Sequence, residues 1–199
     1  MLGLMRRRSF AYEALVRIFA IPPDEAIVQG ILSMSGDFVE SGNNTMEDIE
    51  ADASRLFCNM ALKSVSPYES VYISNTHLLM QQPRDEVLAE YRFEGWEPSG
   101  ELRIPEDHIV FELEFMARLA EEAAAAIEEG QTDSVKRLIE SQSRFLEKHI
   151  CKWVPNFCSD ASAAAETSFY RDACDILRRF IDEDAGMLKG KIAGCFSSE

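Results

Sequence analysis

The sequence has no apolar stretch long enough to cross a membrane, no glycine-rich phosphate loop, no internal repeat and no alternating strand pattern. These absences argue against a membrane-spanning protein, a nucleotide-dependent enzyme, a solenoid and a β-rich domain. Positive charge is also short. Lys and Arg total 20 against 35 Asp and Glu, a formal net of -15. Such a surface repels nucleic acid and anionic membranes and steers basic partners inward. The five cysteines, Cys58, Cys151, Cys158, Cys174 and Cys195, are odd in number and irregularly spaced, which excludes a disulfide framework and predicts reduced, mostly buried thiols. Cys151 and Cys158 with His149 match no common zinc spacing, so no metal site is expected.

Near the start, Arg7-Arg8-Ser9-Phe10 looks like the core of a twin-arginine export signal. The residues that follow exclude that reading, because Glu13, Arg17 and Pro22-Pro23 interrupt any apolar core and no small-residue cleavage site follows. Ala11, Leu15, Ile18 and Phe19 instead fall at helical spacing. The expected protein is soluble and not exported.

What is present is helical periodicity. The chain's length suits one domain with a sizeable core, and 46% apolar residues suit a globular fold. Ile27, Ile31 and Met34 mark a helix over about 24–38. Thr45 with Asp48 caps another, whose inward face is Ile49, Ala53, Leu56, Phe57 and Met60. Residues 68–80 read as one short helix, and Pro83 and Gly95 open and close the next. A long helix is expected from Pro105 to Glu129, stopped by Gly130, and another over about 132–152. Trp153-Val154-Pro155-Asn156-Phe157 should break that helix, and the last strong helix should run over about 161–182 before a weakly patterned tail. The prediction is an all-α, single compact helical bundle over 1–199. Its N-terminal helices span 8–94 and its C-terminal helices 105–182, with a possible hinge at 95–104 and a short tail at 183–199.

Polar residues gather where loops meet helices. Ser66-Pro67-Tyr68-Glu69-Ser70-Val71-Tyr72 and Pro105-Glu106-Asp107-His108 are followed by Glu112-Leu113 and Phe115-Met116. Downstream come Phe145-Leu146 with His149, then Trp153, Pro155 and Phe157, then Phe169-Tyr170. In this order they resemble the TorD/DmsD family of redox-enzyme maturation chaperones. The resemblance implies an all-helical, non-enzymatic, cytoplasmic protein without a cofactor. Its partner would be a molybdoenzyme catalytic subunit with a twin-arginine leader, held back from export until the client's cofactor is inserted. It implies no nucleic acid, no stable membrane insertion, and a monomer or domain-swapped dimer. The implied leader-binding residues are Pro67, Tyr68, Tyr72, Pro105, Asp107, His108, Leu56 and Phe57. Asp107 would be the partner of a leader arginine or of the peptide backbone.

The residues alone leave other readings open. Asp107 and His108 suit a helix N-terminus, with His108 bonding Glu112 one turn on. Leu56 and Phe57 suit a core by their spacing, and Trp153, Pro155 and Phe157 suit packing at a helix break. Family members often carry glutamate before the loop proline, where this chain has Ile104. A helical adaptor for an unrelated client, or a small metal-dependent hydrolase, are the alternative functions.

Overall fold

The computed structural model describes residues 1–34, 44–58, 64–98 and 103–196. The helices in order are α1 (Leu2–Phe19), α2 (Glu25–Met34), α3 (Met46–Phe57), α4 (Glu69–Ile73), α5 (Gln82–Phe93), α6 (Ile109–Glu128), α7 (Thr132–Phe145), α8 (Cys151–Ala164) and α9 (Ser168–Phe196), with a π turn, Leu146–Ile150, joining α7 to α8. No named strand occurs among the described residues. The single sheet-like contact among them is an antiparallel bridge between Tyr68 and His108.

α6 is the axis. α1 packs along one side of it and α7 along another, while α8 pairs with α9. Ile109, Leu113, Met116, Ala120 and Ala124 of α6 are buried, and so are Phe111, Phe115 and Leu119 on its other faces. A helix apolar around most of its circumference has to be surrounded by other elements, and α6 is. Alanines at 117, 120, 123, 124 and 126 keep the contact surface low so that neighbours approach closely.

Local signals set several boundaries as expected. Thr45 and Asp48 form a reciprocal capping box at the start of α3. Gly95 (φ 66°) and Gly130 (φ 70°) take the left-handed conformation that ends α5 and α6 cheaply. Residues 35–38 of the expected second helix, Met60, and residues 99–102 of the expected hinge lie outside the described residues. Trp96, just after Gly95, is buried against Tyr91 (ring centroids 4.5 Å) and Phe115 (5.5 Å).

Four expectations are corrected. Residues 68–80 hold only the five-residue α4. α6 starts at Ile109, not Pro105, because the His108 side chain accepts from the Val110 N–H and acts as the N-cap. Trp153–Phe157 does not break the chain; Pro155 sits inside α8. It lies one turn beyond the π turn, where the regular i→i−4 ladder is already interrupted. Finally, α9 starts at Ser168 and continues through the tail to Phe196.

The tail is helical because it is anchored. Arg8 on α1 forms a two-pronged pair with Asp184 on α9, Nε to Oδ1 at 2.5 Å and an Nη to Oδ2 at 2.7 Å. Tyr12 donates to the same carboxylate (2.8 Å), and Gln142 of α7 accepts from the guanidinium. Both charged side chains are buried, so the second arginine of the export-like motif is a structural ion. Losing one partner of such a pair strands a charge in the interior. Asp184→Ala is therefore expected to lower unfolding free energy in urea by about 3–5 kcal/mol. Replacing the pair together, Arg8→Met with Asp184→Leu, is expected to cost clearly less.

Candidate functional site

Pro67, Tyr68 and Glu69 run against Asp107, His108 and Ile109. Two backbone bonds join them, Glu69 N–H to Asp107 C=O (3.0 Å) and Ile109 N–H to Pro67 C=O (2.9 Å). Both segments are starting helices, so both carry amide donors with no intrahelical partner. Asp107 answers one of them: its Oδ2 accepts from the Ser70 N–H at 2.8 Å, capping α4 from another part of the chain. The Tyr68 and His108 rings meet edge to face at 4.8 Å. Pairing α4 and α6 at their origins thus brings together the two loop motifs, 37 residues apart.

This arrangement changes what the expected site residues can do. Asp107 is fully buried and His108 nearly so, so neither side chain is open to an arginine from outside. Asp107 is a cap, and His108 caps its own helix instead of bonding Glu112. Leu56 and Phe57 are core, Phe57 packing on Tyr170 (5.4 Å) and Phe157 (5.9 Å). Pro67 is buried, and Pro105 and Ile104 are half-buried, Ile104 against the core. Tyr68 and Tyr72 keep accessible surface. Tyr72 stacks on Trp153 (5.6 Å) and donates to Asp160 (3.3 Å). It helps line a groove of about 600 Å³ with Ser64, Val71, His77, Asn156 and Asp160.

Beneath the surface lies a polar cluster that the sequence did not single out as a unit. His149, in the π turn, meets Glu69 at 2.9 Å, and Trp153 donates from Nε1 to Glu112 at 3.0 Å. The available signal was Glu112 itself, an acid three residues after Ile109 on a stripe otherwise apolar. Burial pushes Glu112 well above the usual carboxylate range, and the neighbouring Glu69 charge adds to the shift. Glu69 is raised by burial as well, against the opposing pull of its hydrogen bond to His149. Asp107 Oδ1 and Glu112 Oε1 are buried without hydrogen-bond partners. A neutral, protonated Glu112 tolerates that position far better than a carboxylate. π turns recur at functional positions, and here the widened turn carries His149, the partner of Glu69.

Cys158 lies against Cys174. Among the described residues no cluster of three His, Cys, Asp or Glu side chains is arranged to hold a metal ion.

Comparison with known proteins bears on the same region. The model of the nitrate reductase delta subunit family matches residues 23–159, which include Pro67–Tyr72, Asp107, His108, Glu112, His149 and Trp153 but end one residue before Asp160. The chain belongs to that family. Its relatives include proteins named Chaperone protein TorD. The one from Photobacterium profundum is 27% identical over 151 residues, covering 74% of this chain and 68% of its own. That from Vibrio atlanticus is 29% identical over 157 residues, covering 74% and 69%. A third, from Vibrio vulnificus, is 26% identical over 159 residues, covering 77% and 73%. The family resemblance of the sequence motifs and these matches agree on a TorD-type chaperone.

Two pH responses follow. Burial lowers the His108 pKa to about 4 from 6.5, so between those values the unfolded chain takes up a proton that the folded chain refuses. The stability this contributes is complete above about pH 6.5 and is lost as pH falls toward 4, in all roughly 3 kcal/mol. His108→Asn keeps a capping acceptor and is expected to flatten this acid limb in pH-dependent urea unfolding. Glu112 works in the opposite sense. Its raised pKa stabilises the fold below the unfolded value near 4.5, and that contribution is lost as pH rises through the folded value. Glu112→Gln is expected to gain more stability at pH 8 than at pH 5 in the same measurement.

Proposed function

We propose that this protein is a non-catalytic chaperone for assembly of a molybdenum-cofactor oxidoreductase. It binds the client's twin-arginine leader in the cytoplasm and delays export until the cofactor is in place. The observation that carries this reading is the family match across the Tyr68–His108 corner, where an aromatic, partly open surface borders a groove containing a carboxylate. A leader of this kind has a basic start followed by an apolar stretch. A receptor for it needs negative charge beside greasy surface, and the overall charge of -15 adds long-range attraction.

The roles of the corner residues divide. Tyr68 and Tyr72 are the contact residues, offering ring area to apolar side chains and hydroxyls at the wet edge. Asp107, His108, Pro67 and Pro105 are positioning residues that hold α4 and Tyr68 in place. Leu56 and Phe57 support them from the core. Asp160, at the groove, is the carboxylate available to a leader arginine. Covering the leader keeps the export machinery from engaging it. Release then needs only a modest change in affinity, since about 1.4 kcal/mol alters the dissociation constant tenfold.

The test is titration calorimetry of the full chain with synthetic leaders from the organism's own molybdoenzymes. One leader is expected to bind selectively. Binding should weaken several-fold in Tyr68→Ala, in Tyr72→Ala and when salt rises from about 0.05 to about 0.3 M. Asp107→Ala is expected to weaken it too, with about 1 kcal/mol lost from folding as α4 loses its cap. Equal affinity for a leader whose arginine pair is replaced by alanines would overturn the proposal.

A further inference from the structure

Beyond Tyr72 the chain makes a ridge of unusual composition. Ile73 (38% exposed), Leu78 (61%), Leu79 (37%) and Met80 (55%) present apolar side chains to solvent within eight residues. Single exposed apolar residues are ordinary, but a cluster on one short loop marks an interaction surface. The backbone supports that reading. His77 (φ 53°) and Met80 (φ 61°) both occupy the left-handed region without being glycine, a conformation that costs stability unless the surroundings impose it. Here they do. His77 Nδ1 meets the Val71 carbonyl (2.8 Å), Gln81 donates to the Leu79 carbonyl (2.9 Å), and the Gln81 N–H donates to Ser70 Oγ (3.2 Å). Internal bonds thus hold Leu78, Leu79 and Met80 outward on a pre-shaped loop instead of letting them collapse onto the body.

The ridge stands between two grooves. Tyr72, His77 and Asp160 belong to the first, of about 600 Å³. Among the described residues that line it there is no lysine or arginine. The second, of about 360 Å³, is lined by Ile73, Thr76, Gln81 and Glu86, and carries Lys148 and Lys152. The charge is therefore asymmetric. The first groove offers the Asp160 carboxylate with no cation beside it among those residues, whereas in the second the two lysines are matched by Glu69 and Glu86, and Lys148 also pairs with Glu90 (3.6 Å), so a cationic group is favoured on the Asp160 side.

We infer that the Ile73–Met80 ridge is the seat of the apolar segment of a bound leader peptide, oriented with its arginine end over the Tyr72–Asp160 groove. This rests on the leader-binding reading and adds to it which residues read the apolar segment and in which direction the peptide runs. Unbranched Met80 suits such a surface because it can adapt to leaders of different side-chain pattern.

The test uses the full chain, the leader that binds in the calorimetric series, and two altered peptides. One has the arginine pair replaced by alanines and the other has the leucines of its apolar segment replaced by serines. Leu78→Gln combined with Met80→Gln touches only exposed side chains, so folding is expected to be unaffected, as circular dichroism and urea unfolding would verify. This variant is expected to bind the intact leader about tenfold or more weakly, and to bind the serine peptide no worse than the wild type does. Asp160→Asn should weaken the intact leader but not the alanine peptide. If the double variant bound the intact leader as tightly as wild type, the ridge would not be the seat, while the leader reading itself would stand. If instead sedimentation velocity found that the double variant abolished a dimer without changing leader affinity, the ridge would be a self-association surface and the inference would be overturned. Failure of every leader to bind the wild type would remove the parent reading and this one with it.

Discussion

Two helices of this protein begin at one point, and each begins there because of the other. α4 takes a cap from Asp107 and a backbone acceptor from the same residue, while α6 takes its first external acceptor from Pro67. A helix of five residues has little stability of its own, since nucleation consumes most of what its few bonds return. α4 exists as a helix because α6, the most deeply buried element, holds its start. The position of Tyr68, the angle of Tyr72 and the shape of both grooves follow from that attachment. Acidic residues in this corner therefore do two different things. Asp107 spends its charge inside on amide donors, and Asp160 keeps its charge at the surface.

The polar layer behind α4 extends the same logic. Glu112 receives the Trp153 indole N–H, Trp153 stacks on Tyr72, and Tyr72 borders the groove. Glu69 and His149 complete the layer from α4 and the π turn. An apolar set of the same size is often at least as stable, because taking acids out of water is costly. What the polar layer provides is a fixed orientation for aromatic side chains that face outward. The hydrogen bond to Trp153 sets the ring plane on which Tyr72 rests.

Much of the fold was legible because it is written locally. Helical spacing of Leu15, Ile18 and Phe19, the Thr45–Asp48 box, and the glycines at 95 and 130 each carry their meaning within a few residues. Several misreadings share a cause, which is that structure outside the motif itself decided them. Proline inside a helix normally ends it, and nothing near Pro155 announces the widened turn that precedes it. An acid at a helix start normally faces water, and nothing near Asp107 announces that Ser70 is waiting for it. The weak pattern after residue 182 concealed a helix because the anchoring residue, Arg8, stands 176 positions earlier. Leu78, Leu79 and Met80 misled in the other direction. They fell within the short helix expected over 68–80, whereas they lie in a loop where left-handed His77 and Met80 leave them open to solvent.

The pairing of Arg8 with Asp184 also dictates an order of events. α1 emerges early from the ribosome, yet its guanidinium has no buried counter-charge until residue 184 has been synthesised and freed. Docking α1 onto α6 before then would enclose a lone cation, which the interior strongly disfavours. The first helix is therefore among the last to seat. Until it does, the apolar flank of α6 that it covers stays open, and a nascent copy of this chaperone is itself in need of shelter.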